Sequence, residues 1–436
     1  MPAQPPLAVS PTSTLADRLA PLRDRCAAAW RATPADRPRL GPPVTRWRQW
    51  TNARATSRLI DDIAGRVDAY PEGAPARRAW RETVRRQLQD FGETHFGWPS
   101  GYRRLLFGDA FYDASVDFSR RARAFDPDLS LDDLGQALRN VWIGNSLQML
   151  LARPVALTSG LFAYSMLYPV TDNLLDAPDV SPADKSHFNR RLGRRLIGDP
   201  LPAGHEAEAR AFGLVRQIEE EFPRHRWPDV WDSVLAIHRG QIASLRQHGV
   251  PMSEDDLLDI SVAKGGASVL ADLYLVAGEA TPAEERFAFG YGVFLQLLDD
   301  LQDATTDLAA GHQTLFTQAA RRGPLDELTA RLARFIDVVL DSERGFPSEH
   351  ATDCMDLIRR NCRALLVGVM AEQPTLFSRS FRYDVERQWP LGFRAMRRLR
   401  RRARRRFQAT AQRLQARQGV SSPLELLLAT CPLEHQ

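Results

Sequence analysis

The sequence predicts an all-α protein, and three observations carry that reading. Apolar residues recur three and four apart through long Ala/Leu/Arg-rich segments, which is the period of a helix face. Pro or Gly stands at the breaks, as at Asp199-Pro200, Phe222-Pro223, Gly249-Val-Pro251 and Gly323-Pro324. No segment alternates apolar and polar residues as a strand series would, and there is no internal repeat.

In chain order, residues 1–15 are Pro-rich and read as a flexible tail. Residues 16–130 read as an N-terminal helical extension, and 131–392 as one large helical bundle. Within that bundle helices are predicted over Leu134–Leu151, Glu206–Glu221, Asp255–Gly278, Ala283–Asp307, Leu325–Asp341 and Asp353–Ala371. Residues 393–436 read as an Arg-rich helix and a C-terminal tail. The uncharged run from Pro154 to Thr171 is at the short limit for a membrane span. It contains Pro154, Gly160 and Pro169 and reads better as a buried core helix.

The 436 residues, 44% hydrophobic and 26% charged, exclude global disorder and a fibrous fold. The four cysteines, Cys26, Cys354, Cys362 and Cys431, form no CxxC pair, so no disulfide framework is expected. With no basic segment leading into an apolar run at the start, the expected location is the reducing cytoplasm. The net charge is +4, yet nine arginines crowd between Arg394 and Arg406 without an acid. Without them the balance is −5, so the body is mildly acidic and carries one basic helix. That helix could meet anionic lipid, nucleic acid or the acidic body itself. It has no base-reading motif, so nucleic-acid binding is not expected, whereas a peripheral membrane contact would suit a greasy substrate.

Most acidic pairs in the chain are ordinary. Asp61-Asp62 and Asp132-Asp133 sit in polar surroundings, and Asp255-Asp256-Leu-Leu-Asp259 follows Ser253, a helix N-cap whose first turn favours acids. Two clusters differ. Asp172-Asn-Leu-Leu-Asp176, with Asp179 beyond, ends the uncharged run 154–171. Asp299-Asp300-Leu-Gln-Asp303, with Asp307 beyond, ends another, 287–298. Helices this apolar are buried all round, and carboxylates four apart share a face. Crowded carboxylates there repel one another and lose hydration, a conflict that divalent cations resolve. Mg²⁺ prefers one or two carboxylates plus water and substrate phosphates, so the pair of clusters suggests a metal-held diphosphate above an apolar cavity. The bland alternative is two helix ends reaching solvent.

The segment FLQLLDDLQD (294–303) resembles the second aspartate-rich motif of trans-isoprenyl diphosphate synthases, FQxxDDxxD. Lys264-Gly-Gly-Ala267, Gly278 and Gly290-Tyr-Gly292 are similar to that family's lysine segment and its following glycines. Gly311-His312-Gln-Thr-Leu315 is similar to its GKxTL segment, with His in place of Lys. DNLLD (172–176) is similar to the first DDxxD, with Asn173 at its second position, and equally to the DxxxD of squalene and phytoene synthases. The resemblance covers about residues 160–320 and implies the class I isoprenoid-synthase bundle with a central cavity. A GKR-type segment for isopentenyl diphosphate is missing, as is the (N/D)DxxSxxxE signature of terpene synthases. Arg382-Tyr383 resembles the Arg-Tyr pair of class I terpene synthases.

The resemblance thus implies a Mg²⁺-dependent class I terpene synthase that ionises an isoprenyl diphosphate. The alternative is a prenyltransferase of the isoprenyl diphosphate synthase type, chain-elongating or head-to-head. A non-enzymatic protein that binds nucleic acid or a membrane surface through the Arg-rich segment is a third reading. On the first reading Asp172 and Asp176 hold metal on one wall, and Asp299, Asp300, Asp303 and Asp307 on the other. Lys264, Arg382 and Arg190 contact phosphate, Tyr383 donates a hydrogen bond, His312 is a further candidate for contact with the diphosphate, and Gln296 faces the same cavity. Phe162, Tyr164, Tyr168, Tyr291 and Phe294 offer aromatic faces to a carbocation, although core packing explains any single one of them as well. A homodimer is the assembly that the resemblance implies.

Overall fold

The computed structural model describes residues 14–176, 180–249, 251–343 and 345–418, without the side chains of Ala74, Asp176 and residues 411–418. Residues 1–13 of the expected N-terminal tail, Asp179, the Asp176 carboxylate and the end of the C-terminal tail lie outside the described residues, whereas Thr14 and Leu15, assigned to that tail, cap and begin the first helix.

Among these residues the chain is helical throughout, with no strand. The N-terminal part comprises α1 (Leu15–Ala32), α2 (Arg46–Asp68), α3 (Ala74–Phe91), α4 (Tyr102–Phe107) and α5 (Asp109–Phe125). Then come α6 (Leu131–Leu150), α7 (Ser159–Asp176), α8 (Pro182–Ile197), α9 (Glu206–Glu221) and α10 (Pro228–Ser244). Next are α11 (Glu254–Ala277), α12 (Pro282–Gln302), α13 (Ala304–Ala310), α14 (Leu315–Ala320) and α15 (Asp326–Ser342). The chain continues through α16 (Ala351–Glu372) and α17 (Arg379–Glu386) to α18 (Phe393–Gln418).

Caps explain where the central helices begin. Ser253 accepts a hydrogen bond from the Asp256 N–H at the start of α11, so the DDxxD there is a first-turn acid cluster, as its N-cap predicts. Thr281 and Glu284 close a capping box on α12, with Pro282 at its first position. The helix predicted over 283–307 divides: α12 stops at Asp303, which leads directly into α13. Gly311 ends α13 at φ 74°, in the left-handed region where a side chain would be strained.

Helices α10, α11 and α12 pack side by side, with α6, α7, α15 and α16 around them. Helix α11 is long and apolar enough to cross a membrane, but 78% of its apolar window is buried within the protein, as befits a core helix. Its glycines permit a close crossing. A β-carbon on Gly265 would stand 2.5 Å from the Gln296 β-carbon and 2.7 Å from the Gly292 carbonyl oxygen, and one on Gly292 would strike the Gly265 carbonyl. The Gly265-Gly266 pair lies inside this continuous helix, as the predicted 255–278 segment implies. It brings the backbones of α11 and α12 together, which sets Lys264 beside the acidic end of α12.

The N-terminal extension divides in two. Leu15, Leu22, Cys26 and Trp30 of α1 are buried in the main core. Arg18 fastens α1 there through Asp229 (2.9 Å), Glu285 (2.8 Å) and the Tyr274 hydroxyl (3.0 Å). Helices α2 and α3 instead make a satellite cluster of Ile63, Val67, Val84 and Leu88, with Phe407 of α18 against it. Cys26, Cys354 and Cys362 are free and buried.

The crossing makes a prediction. Gly292→Ala is expected to destabilise the protein by about 1–3 kcal/mol through overpacking. Gly213→Ala, on α9 where nothing lies within 4 Å of the added carbon, should be neutral or slightly stabilising. Thermal unfolding of both variants checks the contrast, and equal midpoints would refute the close-packing account.

Candidate active site

A cavity of about 360 Å³ runs between α6, α7, α10, α11, α12 and α16. Its walls are mostly apolar, with Leu105, Phe111, Trp142, Met149, Leu357 and Leu365 among them. Asp172 from α7 and Asp299 from α12 line the same cavity, together with Lys264 and Gln296. Both aspartates sit near helix C-termini, where the helix dipole is itself negative, so neither end can compensate them.

Tyr168 links the two clusters. Its phenol is raised well above the ordinary range, first by burial, then by the charges of Asp172 and Asp299, with a hydrogen bond to Asp172 adding to the rise. The 43% of Tyr168 left exposed lines the cavity, so its exposure and its desolvation coexist. Gln241 of α10 donates to Asp172 Oδ1 at 3.4 Å. Asp299 is raised by burial, while Lys264 and Arg139 pull it down and Asp307 pushes it up. Asp303 reaches about 6 through burial and repulsion from Asp299, Asp307 and Asp300, with Arg139 opposing.

Other predicted residues are placed differently. Asp300 is buried and faces α11: Ser261 Oγ donates to one oxygen (2.9 Å) and Gln296 Nε2 to the other (2.8 Å). Its pKa of about 6 reflects burial above all, and its hydrogen bonds hold it in the helix interface rather than the cavity. Asp303 is exposed at the helix end, and Asp307 pairs with His312 at 3.2 Å. His312 stacks on His248 with ring centroids 4.5 Å apart. Arg190 is exposed and donates to Ser186 one turn back, outside the cavity. Asn173 turns to Asp133 of α6 at 3.3 Å. Arg382 lies over the Phe393 ring and Tyr383 under Arg387, and neither residue lines the cavity. The reason is the helix to which they belong: α17 packs inward through Phe381 and Val385, and turns this pair elsewhere. Of the aromatic candidates Tyr164, Tyr168 and Tyr291 line the cavity, whereas Phe162 and Phe294 are core residues.

Arg139 was not foreseen. It lines the cavity from α6 and acts on Tyr168, Asp299 and Asp303 together. The signal was present: Arg139 is the single charge between Leu134 and Leu151, in a helix whose other charges are the first-turn Asp132 and Asp133. Asn140 beside it donates to Ser165 (3.0 Å) and to the fully buried Asp272 (2.9 Å), whose carboxyl burial raises well above the ordinary range.

Among the described residues no three of His, Cys, Asp and Glu converge closely enough to hold a metal ion alone. The donor chemistry nonetheless fits Mg²⁺. It consists of hard carboxylate oxygens brought to one cavity from α7 and α12, with Asp299 raised above its ordinary range chiefly by burial.

No protein family matches the chain by sequence, and no curated protein matches it. Solved structures similar to it include a geranylgeranyl pyrophosphate synthetase from the archaeon Geoglobus acetivorans. That pair is 14% identical over 64% of this chain and 97% of the other, with a TM-score of 0.32. A geranyltransferase from Legionella pneumophila is 16% identical, covering 74% of this chain and 99% of the other, with a TM-score of 0.32. A decaprenyl diphosphate synthase from Rhodobacter capsulatus is 12% identical, covering 69% and 99%, with a TM-score of 0.31. Likeness at this level carries no argument about activity, which rests on the residues above.

The crowded carboxylates predict a pH dependence. A carboxyl whose folded pKa lies above its unfolded value of about 3.9 favours the folded state when protonated. Its contribution is lost as pH rises through about 6, the folded value of Asp303. Burial lowers His95 and His238, which act in the opposite sense, so the comparison must be with Asp303→Asn. The stability of wild type relative to Asp303→Asn should fall between about pH 4 and about pH 6.5, and Mg²⁺ should restore it at the higher pH. Parallel thermal midpoints across that range would contradict this account.

Proposed function

We propose that this chain ionises an isoprenyl diphosphate of the allylic type with Mg²⁺. The observation that carries the reading is that Asp172 and Asp299, from two helices, line one apolar cavity with Lys264 and Arg139 beside them. When bound, Mg²⁺ would neutralise diphosphate oxygens as a Lewis acid, held by Asp172 on one wall and by Asp299 on the other, with Asp303 at the helix end beside Asp299. Lys264 and Arg139 supply the fixed positive charge that the leaving diphosphate needs as the carbon–oxygen bond breaks. The apolar walls exclude water from the resulting cation. The faces of Tyr164, Tyr168 and Tyr291 attract it, each by up to ~2 kcal/mol when desolvated.

The acceptor of the cation decides the subclass. The cyclase reading leaned on Arg382-Tyr383, and that pair stands outside the cavity. We therefore carry forward prenyl transfer, in which the double bond of a second isoprenoid substrate attacks the cation and a proton then leaves. Cyclisation stands second, supported by the tyrosine faces.

The test is incubation with Mg²⁺ and geranyl, farnesyl or geranylgeranyl diphosphate, with and without isopentenyl diphosphate. Longer diphosphates formed only with isopentenyl diphosphate support transfer, and so do joined identical chains. Hydrocarbon or alcohol from the allylic substrate alone supports cyclisation. Diphosphate release with no substrate under any condition would end the proposal. Asp172→Ala and Asp299→Ala should each lower kcat by about 10²–10³-fold, the loss of several kcal/mol of charge stabilisation. Arg190→Ala should stay within about threefold of wild type, as expected for a solvated arginine.

A further inference from the structure

Helix α18 lies between α2 and α16. Arg402 and Arg406 pair with Asp61 of α2 at 2.5 and 3.5 Å, and Arg400 with Glu372 of α16 at 3.7 Å. On a helix these residues point sideways, while Leu399 and Phe407 point inward. Arg394, Arg398, Arg401 and Arg405 follow the spacing i, i+4, i+7, i+11 on the remaining face. All four are exposed, and none makes an ion pair among the described residues. The result is a straight cationic stripe pointing out of the protein.

Beside it stands an apolar feature that the function above does not use. Trp47 and Trp50 of α2 are 69% and 48% exposed. Their rings stack on each other, with centroids 4.9 Å apart, and Arg54 covers Trp50 at 4.8 Å. Positions 47, 50, 54 and 61 share one strip of α2, and Asp61 on that strip touches α18. The tryptophan pair therefore occupies the shoulder of α2 that borders the arginine stripe. Neither indole N–H donates to the protein among the described residues, so both remain for an outside acceptor.

We propose that this face docks on an anionic lipid bilayer, with the stripe against the headgroups and Trp47 and Trp50 inserted at the interface. Charge complementarity favours that partner, since the stripe is cationic and acid-free along a single axis, matching a flat anionic surface. Two indoles offering apolar rings with free N–H groups suit the headgroup boundary. Nucleic acid fits less well, because the indole faces are occupied by each other and by Arg54 and offer no separate platforms for bases. The inference stands independently of the reaction assigned to the cavity.

The test uses the full chain in vesicle co-sedimentation. Phosphatidylcholine vesicles with about 30% phosphatidylglycerol should bind it, pure phosphatidylcholine should not, and binding should weaken with salt. Trp47→Ala/Trp50→Ala and Arg398→Gln/Arg401→Gln/Arg405→Gln should each weaken binding by about tenfold or more, and Arg→Lys at the same three positions should restore it. Circular dichroism and thermal midpoints establish that the variants are folded. Equal binding to neutral and anionic vesicles would overturn the proposal, as would a tryptophan variant that binds like wild type. Two other results would replace it. One is RNA retention through the stripe without vesicle binding, and the other is a solution dimer that the tryptophan variant dissolves.

Discussion

Carboxylates at the C-terminal ends of two buried helices meet two penalties at once: lost hydration, and the negative pole of the helix dipole. In this protein Asp172 on α7 and Asp299 on α12 carry both, across one apolar cavity. The rise of Tyr168, Asp299 and Asp303 above their ordinary pKa ranges comes first from that burial, and neighbouring carboxylate charge adds to it. Only positive charge relieves it. The chain supplies part through Lys264 and Arg139, and the remainder defines what the cavity is suited to receive.

The rest of the fold serves to hold these charges in place. The backbone contact between Gly265 and Gly292 sets the spacing of α11 and α12, and so the position of Lys264 relative to Asp299. Asp300 ties the same two helices through Ser261 of α11, while Gln296 of its own helix holds its other oxygen. A carboxylate that looks like a ligand in the motif thus braces the wall on which its neighbour Asp299 stands. Helix α1 is fastened over the other side of α10–α12 by Arg18.

Two surfaces with different chemistry therefore coexist. Inside, acids rim an apolar cavity. Outside, α18 sets an arginine stripe beside exposed tryptophans. A net charge of +4 describes neither, because the two regions nearly cancel in the sum. Separating the nine clustered arginines from the acidic body is what makes both visible.

Helical periodicity determined the all-α architecture, since the same apolar spacing that builds the helices also buries them. The predicted 206–221 helix matches α9 to the residue, and the Ser253 cap accounts for one DDxxD on local grounds. The two apolar runs ending in acids were equally legible, because their composition alone creates the electrostatic conflict. Which way each acid turns was decided in three dimensions. Asp299 enters the cavity and Asp300 the helix interface because adjacent helix positions differ by about 100°. The same rotation leaves Arg190 in solvent and carries Arg382 and Tyr383 away from the cavity, while a lone arginine on α6, Arg139, arrives from 160 residues upstream of Asp299. Spacing along the chain cannot report such a meeting, because the packing of separate helices, and not their local sequence, brings those side chains to one place.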